Sequence, residues 1–298
     1  MSGSCCLDVD TALARTRITG GAPPAEPRGD LGDGPRERGR LWAGVRHSRG
    51  LRELGFMALV YVGYLSRVVA DSSLGPARDT AMAILATERQ LHINVESELN
   101  SWFRGNDVLG MLGAFYYAAA HYVVTAAVLV WLFRRRPRHY KHPRRALLVA
   151  TGIALVGYLV LPTAPPRLVQ GYTDLMVVHA GIGWWGEAAS APQGLGWLTN
   201  QLAAFPSMHA GWALWVALAV RRACRSRAVR ALGWSHAAVT AVVVVGTANH
   251  WLLDVVAGWA IVWAAWAVAG GVRHVTGPGG YLVLGPWTRT PRSTRSRS

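Results

Sequence analysis

The chain has 298 residues, of which 51% are hydrophobic and only 16% are charged, whereas soluble domains carry about 25% charged residues. This composition, with apolar runs close to the thickness of a bilayer, excludes an ordinary soluble domain and predicts an all-α, polytopic membrane helical bundle. The net charge of +15 would suggest nucleic acid in a soluble protein. Here the arginines cluster between apolar runs, so we attribute the charge to membrane topology and expect no nucleic-acid partner.

The predicted elements fall into three regions. Residues 1–50 are rich in Gly, Pro and Arg and predict a disordered cytoplasmic tail. Residues 51–272 are predicted to form the membrane-embedded domain, and residues 273–298 a basic cytoplasmic tail. The domain is expected to hold about six transmembrane helices and short extracytoplasmic helices, one of them amphipathic at about 77–91. The six spans are predicted at about 54–70, 110–133, 146–162, 206–220, 232–248 and 251–271.

Two basic segments determine the predicted orientation. Residues 134–145 and 221–230 are rich in Arg and contain no acidic residue. Because cytoplasmic loops carry the excess of Lys and Arg, we expect a multi-pass cell-membrane protein with both termini in the cytoplasm. Residues 71–108, residues 163–204 and the turn near position 249 would then face the extracytoplasmic side.

Three short motifs stand at the edges of predicted spans. They are Pro-Thr-Ala-Pro-Pro-Arg ending at Arg167, Phe-Pro-Ser-Met-His ending at His209, and Asn-His-Trp-Leu-Leu-Asp from Asn249 to Asp254. The basic loops alone decided the orientation, yet all three motifs fall on the predicted extracytoplasmic face. This agreement predicts one site that gathers an arginine, two histidines and a carboxylate.

His250 and Asp254 are four residues apart, a spacing that brings side chains together on one helix face. A carboxylate that holds one imidazole nitrogen fixes the tautomer and leaves the other nitrogen available as a nucleophile or base. The alternative is a histidine that satisfies a helix end, with Asp254 near a helix N-terminus. Because Asp254 lies within an apolar run, where a charge costs about 2.5–3.5 kcal/mol, we favour a functional role.

The other two motifs offer groups that bind phosphate. Ser207 and Met208 open a predicted helix, whose free N–H groups suit an anion, and His209 would stand beside that anion and move a proton. The guanidinium of Arg167 can bind phosphate oxygens in a forked geometry. The alternatives are an ordinary helix start with an interfacial histidine and an arginine that extends to the membrane surface.

His121 lies in the middle of the second predicted span. We interpret it as a candidate substrate-contacting residue, and a hydrogen bond between helices is the alternative.

Together the three motifs resemble the type 2 phosphatidic acid phosphatase superfamily over about residues 55–270. The resemblance implies a helical core, an extracytoplasmic site and phosphoryl transfer through a phosphohistidine, without metal or cofactor. It further implies that His250 attacks phosphorus and Asp254 orients it. His209 would protonate the leaving oxygen and then activate the incoming hydroxyl. Arg167, Ser207 and the backbone near Met208 would hold the phosphoryl oxygens.

The motifs are most similar to the branch that includes inositol phosphorylceramide synthases. Met208 stands where the wider superfamily often has glycine, and Val244 where its third motif usually has arginine. The lysine that usually opens the first motif is also missing before Arg167. These differences favour the inositolphosphotransferase-like branch over simple phosphatidate hydrolysis.

The favoured hypothesis is therefore a phosphatase or phosphotransferase whose substrate is a lipid phosphate or phospholipid in the membrane. A second hypothesis is a metal-dependent membrane hydrolase, with His209, His250 and Asp254 as zinc ligands. A third is a transporter that uses His121, His250 and Asp254 as a proton relay, although no internal repeat supports it.

Overall fold

The computed structural model describes residues 73–185 and 200–271, together with Gly55. These residues form no β-sheet, although an isolated parallel bridge pairs Thr163 with Ala203. The prediction of an all-α membrane bundle is therefore confirmed. The predicted tails, residues 1–50 and 273–298, lie outside the described residues. The α-helices of the described residues are α1 Leu74–Gln90, α2 Glu96–Gly105, α3 Asp107–Arg135, α4 Pro137–Val160, α5 Leu175–Val178, α6 Met208–Ala223, α7 Arg227–Gly246 and α8 Leu252–Gly271.

Helices α3, α4, α7 and α8 are long and apolar enough to cross a membrane, and no other helix in the described part of the chain meets both conditions. The span predicted at about 54–70 lies outside the described residues except for Gly55, which is helical. The span predicted at about 206–220 forms α6, which has 16 residues. That is fewer than the roughly 20 residues needed to cross the hydrocarbon core upright.

Helix α6 is short because it is the central helix of the bundle. It packs against α3, α4, α7 and α8, and 11 of its 16 residues are buried. A helix that is apolar on every side belongs in an interior, where its length need not match the bilayer. The start of α6 is thereby enclosed by its neighbours, and Ser207 caps it by accepting a hydrogen bond from the N–H of Ala210 at 3.4 Å.

The basic segment between the second and third predicted spans differs from the expected loop. Helix α4 begins at Pro137, so Lys141, Arg144 and Arg145 lie within the helix. Proline suits the first helical turn, and Lys and Arg are good helix formers, so hydrophobicity alone placed the boundary too late. The amphipathic helix predicted at about 77–91 is present as α1.

Helices α6 and α8 cross at a pair of glycines. A Cβ atom on Gly258 would meet the carbonyl group of Ser207, and one on Gly211 would lie 3.3 Å from the carbonyl oxygen of Gly258. Small residues at a crossing allow two helix backbones to approach closely within a membrane. Because Gly258 has no side chain, α8 can lie close to the segment that begins α6.

We expect Gly258→Ala to destabilise the protein by about 1–3 kcal/mol, because the added methyl overpacks the crossing against backbone that cannot rotate away. The measurement is the melting temperature of the full chain in detergent. Gly152→Ala on α4 is the matched control, since nothing lies within 4 Å of the added Cβ. A Gly258→Ala protein that melts with the wild type would contradict this account of the crossing.

Candidate active site

The second and third motifs meet through their two histidines. The Nε2 atom of His250 lies 3.4 Å from the Nδ1 atom of His209. The side chain of His250 is buried, and that of His209 is half-buried. One histidine begins α6 and the other precedes α8, so the close packing of these two helices brings the imidazoles together.

The tautomer of His250 follows from its other nitrogen. Nδ1 lies 2.9 Å from the carbonyl oxygen of Ala204 and 3.4 Å from Oδ2 of Asp254. A carbonyl oxygen can only accept, so Nδ1 carries the proton and Nε2 presents a lone pair toward His209. Burial lowers the pKa of His250 to about 3, which keeps the imidazole neutral near pH 7.

Asp254 is brought to His250, as the spacing predicts, but it is not the nearest partner. The carbonyl of Ala204 is closer to Nδ1 than the carboxyl is. Asp254 Oδ2 also accepts a hydrogen bond from the N–H of Trp251 at 2.8 Å, and its carbonyl oxygen accepts from the N–H of Ser207 at 2.9 Å. Asp254 thus connects the start of α8 to the start of α6.

Arg167 lies in a short 3₁₀ helix, Pro166–Leu168, and is attached to the segment that carries His250. Its backbone N–H donates to the carbonyl of Ala248 at 2.8 Å, and its Nε donates to Oδ1 of Asn249 at 3.0 Å. Asp174 Oδ2 lies 3.7 Å from the same Nε. The side chain is 3% exposed, and Nη1 has no hydrogen-bond partner among the described residues. A buried donor of this kind is available to an anionic ligand.

The turn between α7 and α8 has an unusual backbone. Ala248 has a φ of 58°, in the left-handed region that normally selects glycine. This conformation reverses the chain after α7, so that the N–H groups of Asn249 and His250 both lie 3.1 Å from the carbonyl of Val244. The side chain of Val244 packs in an apolar cluster and offers no charge to the site.

Helix α3 supplies an aromatic wall to the site. The ring of Tyr117 stacks on His209 with centroids 4.3 Å apart and an interplanar angle of 13°. The ring of His121, one helical turn later, lies 3.8 Å from His209 by centroids and is buried. The structure therefore brings His121 against His209, and Tyr117 is an addition that its one-turn spacing from His121 could have indicated.

Ser207 and Met208 occupy the positions expected at the start of α6. The backbone N–H of Ser207 is already bonded to Asp254, whereas Met208 and His209 are the first residues of the helix, whose N–H groups have no partner within it. An anion beside His209 would face these two groups. No group of three or more His, Cys, Asp or Glu suited to holding a metal occurs between residues 73 and 185 or 200 and 271.

Glu88 and Glu96 are the components that the motifs did not indicate. Both are fully buried, although they come from the polar segment expected to face outward. Glu96 Oε1 accepts from the N–H of Leu252 at 2.9 Å, and Glu88 Oε1 accepts from that of Leu253 at 2.8 Å. The partners are more than 150 residues apart in sequence, so no local pattern could have predicted these contacts.

The described helices thus enclose paired histidines and a buried arginine at the start of α6 and α8. A family model described as the PAP2 superfamily matches residues 82–268, and the chain belongs to this type 2 phosphatidic acid phosphatase superfamily. Membership supports a membrane enzyme of the lipid phosphatase type. No curated protein and no solved structure matches the chain.

The hydrogen bond between Arg167 and Asn249 gives a test of the site's architecture. We expect Asn249→Ala to cost about 1–3 kcal/mol of stability, because a buried Nε donor loses its acceptor. The melting temperature in detergent measures the loss, and Asn94→Ala, at an exposed position, is the control. Equal melting temperatures for the two variants would show that Asn249 does not hold the guanidinium.

Proposed function

We propose that this protein is an integral membrane phosphatase or phosphotransferase that acts on a lipid phosphoester through a phosphohistidine. The observation that supports it most directly is the approach of His250 Nε2 to His209 Nδ1 at 3.4 Å, with the buried guanidinium of Arg167 close enough for its charge to act on His250. A nucleophile, an acid–base group and an anion-binding group are the parts that phosphoryl transfer requires.

In the proposed first step, His250 Nε2 attacks phosphorus and the bond from phosphorus to the leaving oxygen breaks. His209, protonated beside the bound phosphate anion, gives its proton to that oxygen and becomes neutral. The hydrogen bond from Nδ1 to Ala204, together with the nearby carboxylate of Asp254, orients the imidazole and stabilises the positive charge that develops on it. Arg167 Nη1, the Ser207 hydroxyl and the backbone N–H of Met208 bind the phosphoryl oxygens.

In the second step, water or an alcohol attacks the phosphohistidine. His209 accepts the proton from the incoming hydroxyl, the bond from phosphorus to Nε2 breaks, and His250 returns to its neutral form. The rings of His121 and Tyr117 pack on His209. They hold its ring where it can protonate the leaving oxygen and later accept a proton from the incoming hydroxyl. In this proposal His121 also contacts the bound substrate.

We assign the site to the extracytoplasmic face of the cell membrane. The arginine-rich ends of α3 and α6 are separated from the motifs by the length of a helix, because His209 begins α6 and Arg221 and Arg222 lie in its last turn. Since such basic segments remain in the cytoplasm, the motifs are assigned to the opposite side, and both termini to the cytoplasm. A lipid would enter laterally and keep its tails in the bilayer.

The proposed nucleophile can be tested by trapping the phosphoenzyme. We expect wild-type protein with ³²P-labelled lipid phosphate to give an acid-labile adduct, and His250→Ala to give none because the attacking nitrogen is missing. His209→Ala should lower turnover by about 10²–10⁴-fold, the usual contribution of a general acid–base group.

His92→Asn is the matched control for these variants. The residue is exposed, and asparagine tolerates its φ of 56°. Folded His250→Ala protein with the turnover of this control would end the assignment of the nucleophile.

The acceptor is proposed to be an alcohol, as in the inositolphosphotransferase-like branch, because Val244 and Met208 differ from the wider superfamily at the same positions as that branch. A panel of lipid phosphates and phospholipids, with and without inositol, decides this point. We expect a new phospholipid headgroup in the presence of inositol and no requirement for added metal. Release of free phosphate alone, unaffected by inositol, would instead identify a phosphatase.

A further inference from the structure

Three carboxyl groups surround the first turn of α8, directly after His250. Glu96 binds the N–H of Leu252, Glu88 binds that of Leu253, and Asp254 binds that of Trp251. Three consecutive backbone donors are therefore each held by a different carboxyl. All three acids are fully buried, so solvent does not compete for these bonds.

This arrangement creates an electrostatic problem. The carboxyl of Glu88 lies close enough to that of Glu96 for their charges to interact, and the Oε2 atoms of both are buried without a hydrogen-bond partner among the described residues. Two adjacent buried carboxylates repel each other unless they share a proton, as carboxyl pairs commonly do. Burial, reinforced by the charges of Glu96 and Asp254, raises the pKa of Glu88 to about 8. The pair therefore carries one proton at neutral pH.

The titratable groups around the Glu88–Glu96 pair come from several elements, and the pair is bonded to the start of α8. Glu88 comes from α1, Glu96 from α2 and Asp254 from α8, and Tyr172 approaches from the loop after α4. Arg89 is the nearby cation that acts on Tyr172, but its side chain is exposed. Loss of the shared proton would therefore add a second negative charge close to Asp254, and the charges that act on Glu88, those of Glu96 and Asp254, are both negative.

We propose that Glu88 and Glu96 are positioning residues that, by sharing one proton, fix the first turn of α8 and through it Asp254 and His250. They touch the backbone of α8 and not the substrate. Their role in turnover rests on the proposed function. The shared proton can be tested by stability alone and does not depend on that function.

The kinetic test compares the pH dependence of turnover. Glu88→Gln keeps an oxygen that can accept from Leu253 N–H and imitates the protonated carboxyl, so it has no proton to lose. We expect wild-type turnover to fall on the alkaline side near pH 8. In Glu88→Gln this fall should move to higher pH by about one unit or more. Glu98→Gln, at an exposed position on α2, should retain the wild-type profile.

Glu88→Ala distinguishes the effect of the shared proton from the effect of the hydrogen bond to the N–H of Leu253. Alanine leaves the N–H of Leu253 unpaired, so turnover should fall at every pH, and glutamine should restore it. If the carboxyl of Glu88 has only a structural role, the alkaline fall in turnover of Glu88→Gln will occur at the same pH as in the wild type. That result would overturn the proposal. If Glu88→Gln does not fold, Glu96→Gln carries the same comparison through Leu252 N–H.

A stability measurement keeps the two proposals distinguishable. A pKa of about 8 in the folded protein lies above the ordinary 4.5, so the folded state binds the extra proton between these values. Stability from this group is then complete below pH 4.5 and is lost as pH rises through 8. The melting temperature of Glu88→Gln should fall less than that of wild type and Glu98→Gln between pH 5 and about pH 9. Parallel curves would overturn the shared proton, whether or not any lipid is turned over.

Discussion

The site depends on how the chain is held between Ala248 and Asp254. Every backbone N–H from Asn249 to Leu253 has a specific acceptor: the first two use the carbonyl of Val244, and the next three use carboxyl groups. A segment bound along its whole length cannot rotate, so His250 keeps one orientation toward His209. In an apolar medium an unpaired backbone group costs several kcal/mol, and these bonds are therefore strong constraints on the native structure.

The fold could be predicted because bilayer physics leaves few alternatives. Long apolar runs must form helices, and the amphipathic segment and the spans at α3, α7 and α8 follow directly from hydrophobic patterning. Two features needed tertiary information. Helix α4 extends through a basic segment that hydrophobicity treats as loop, and α6 is short because its neighbours, and not lipid, surround it.

The site was predictable to the extent that its residues cluster in sequence. His250 and Asp254 share a helical turn, and Ser207 and His209 begin one helix, so local spacing identified them. The partners that were missed are either backbone groups or distant carboxyls. The carbonyl of Ala204 has no side-chain signature, and it lies nearer to His250 Nδ1 than Asp254 does. Glu88 and Glu96 lie in the segment that was expected to face the extracytoplasmic side, and their burial arises from contacts across the fold that sequence spacing does not indicate.

The outer helices are connected to the motifs through backbone groups. The carbonyl of Ala77 on α1 accepts from the N–H of Ala164, whose own carbonyl accepts from the indole N–H of Trp251. The geometry of the three motifs consequently depends on contacts with helices outside them. A designer who transplanted them onto another helical scaffold would reproduce the side chains of the motifs but not the helices between residues 74 and 105 that bind the start of α8, and the histidines of such a chimaera would lack a fixed separation.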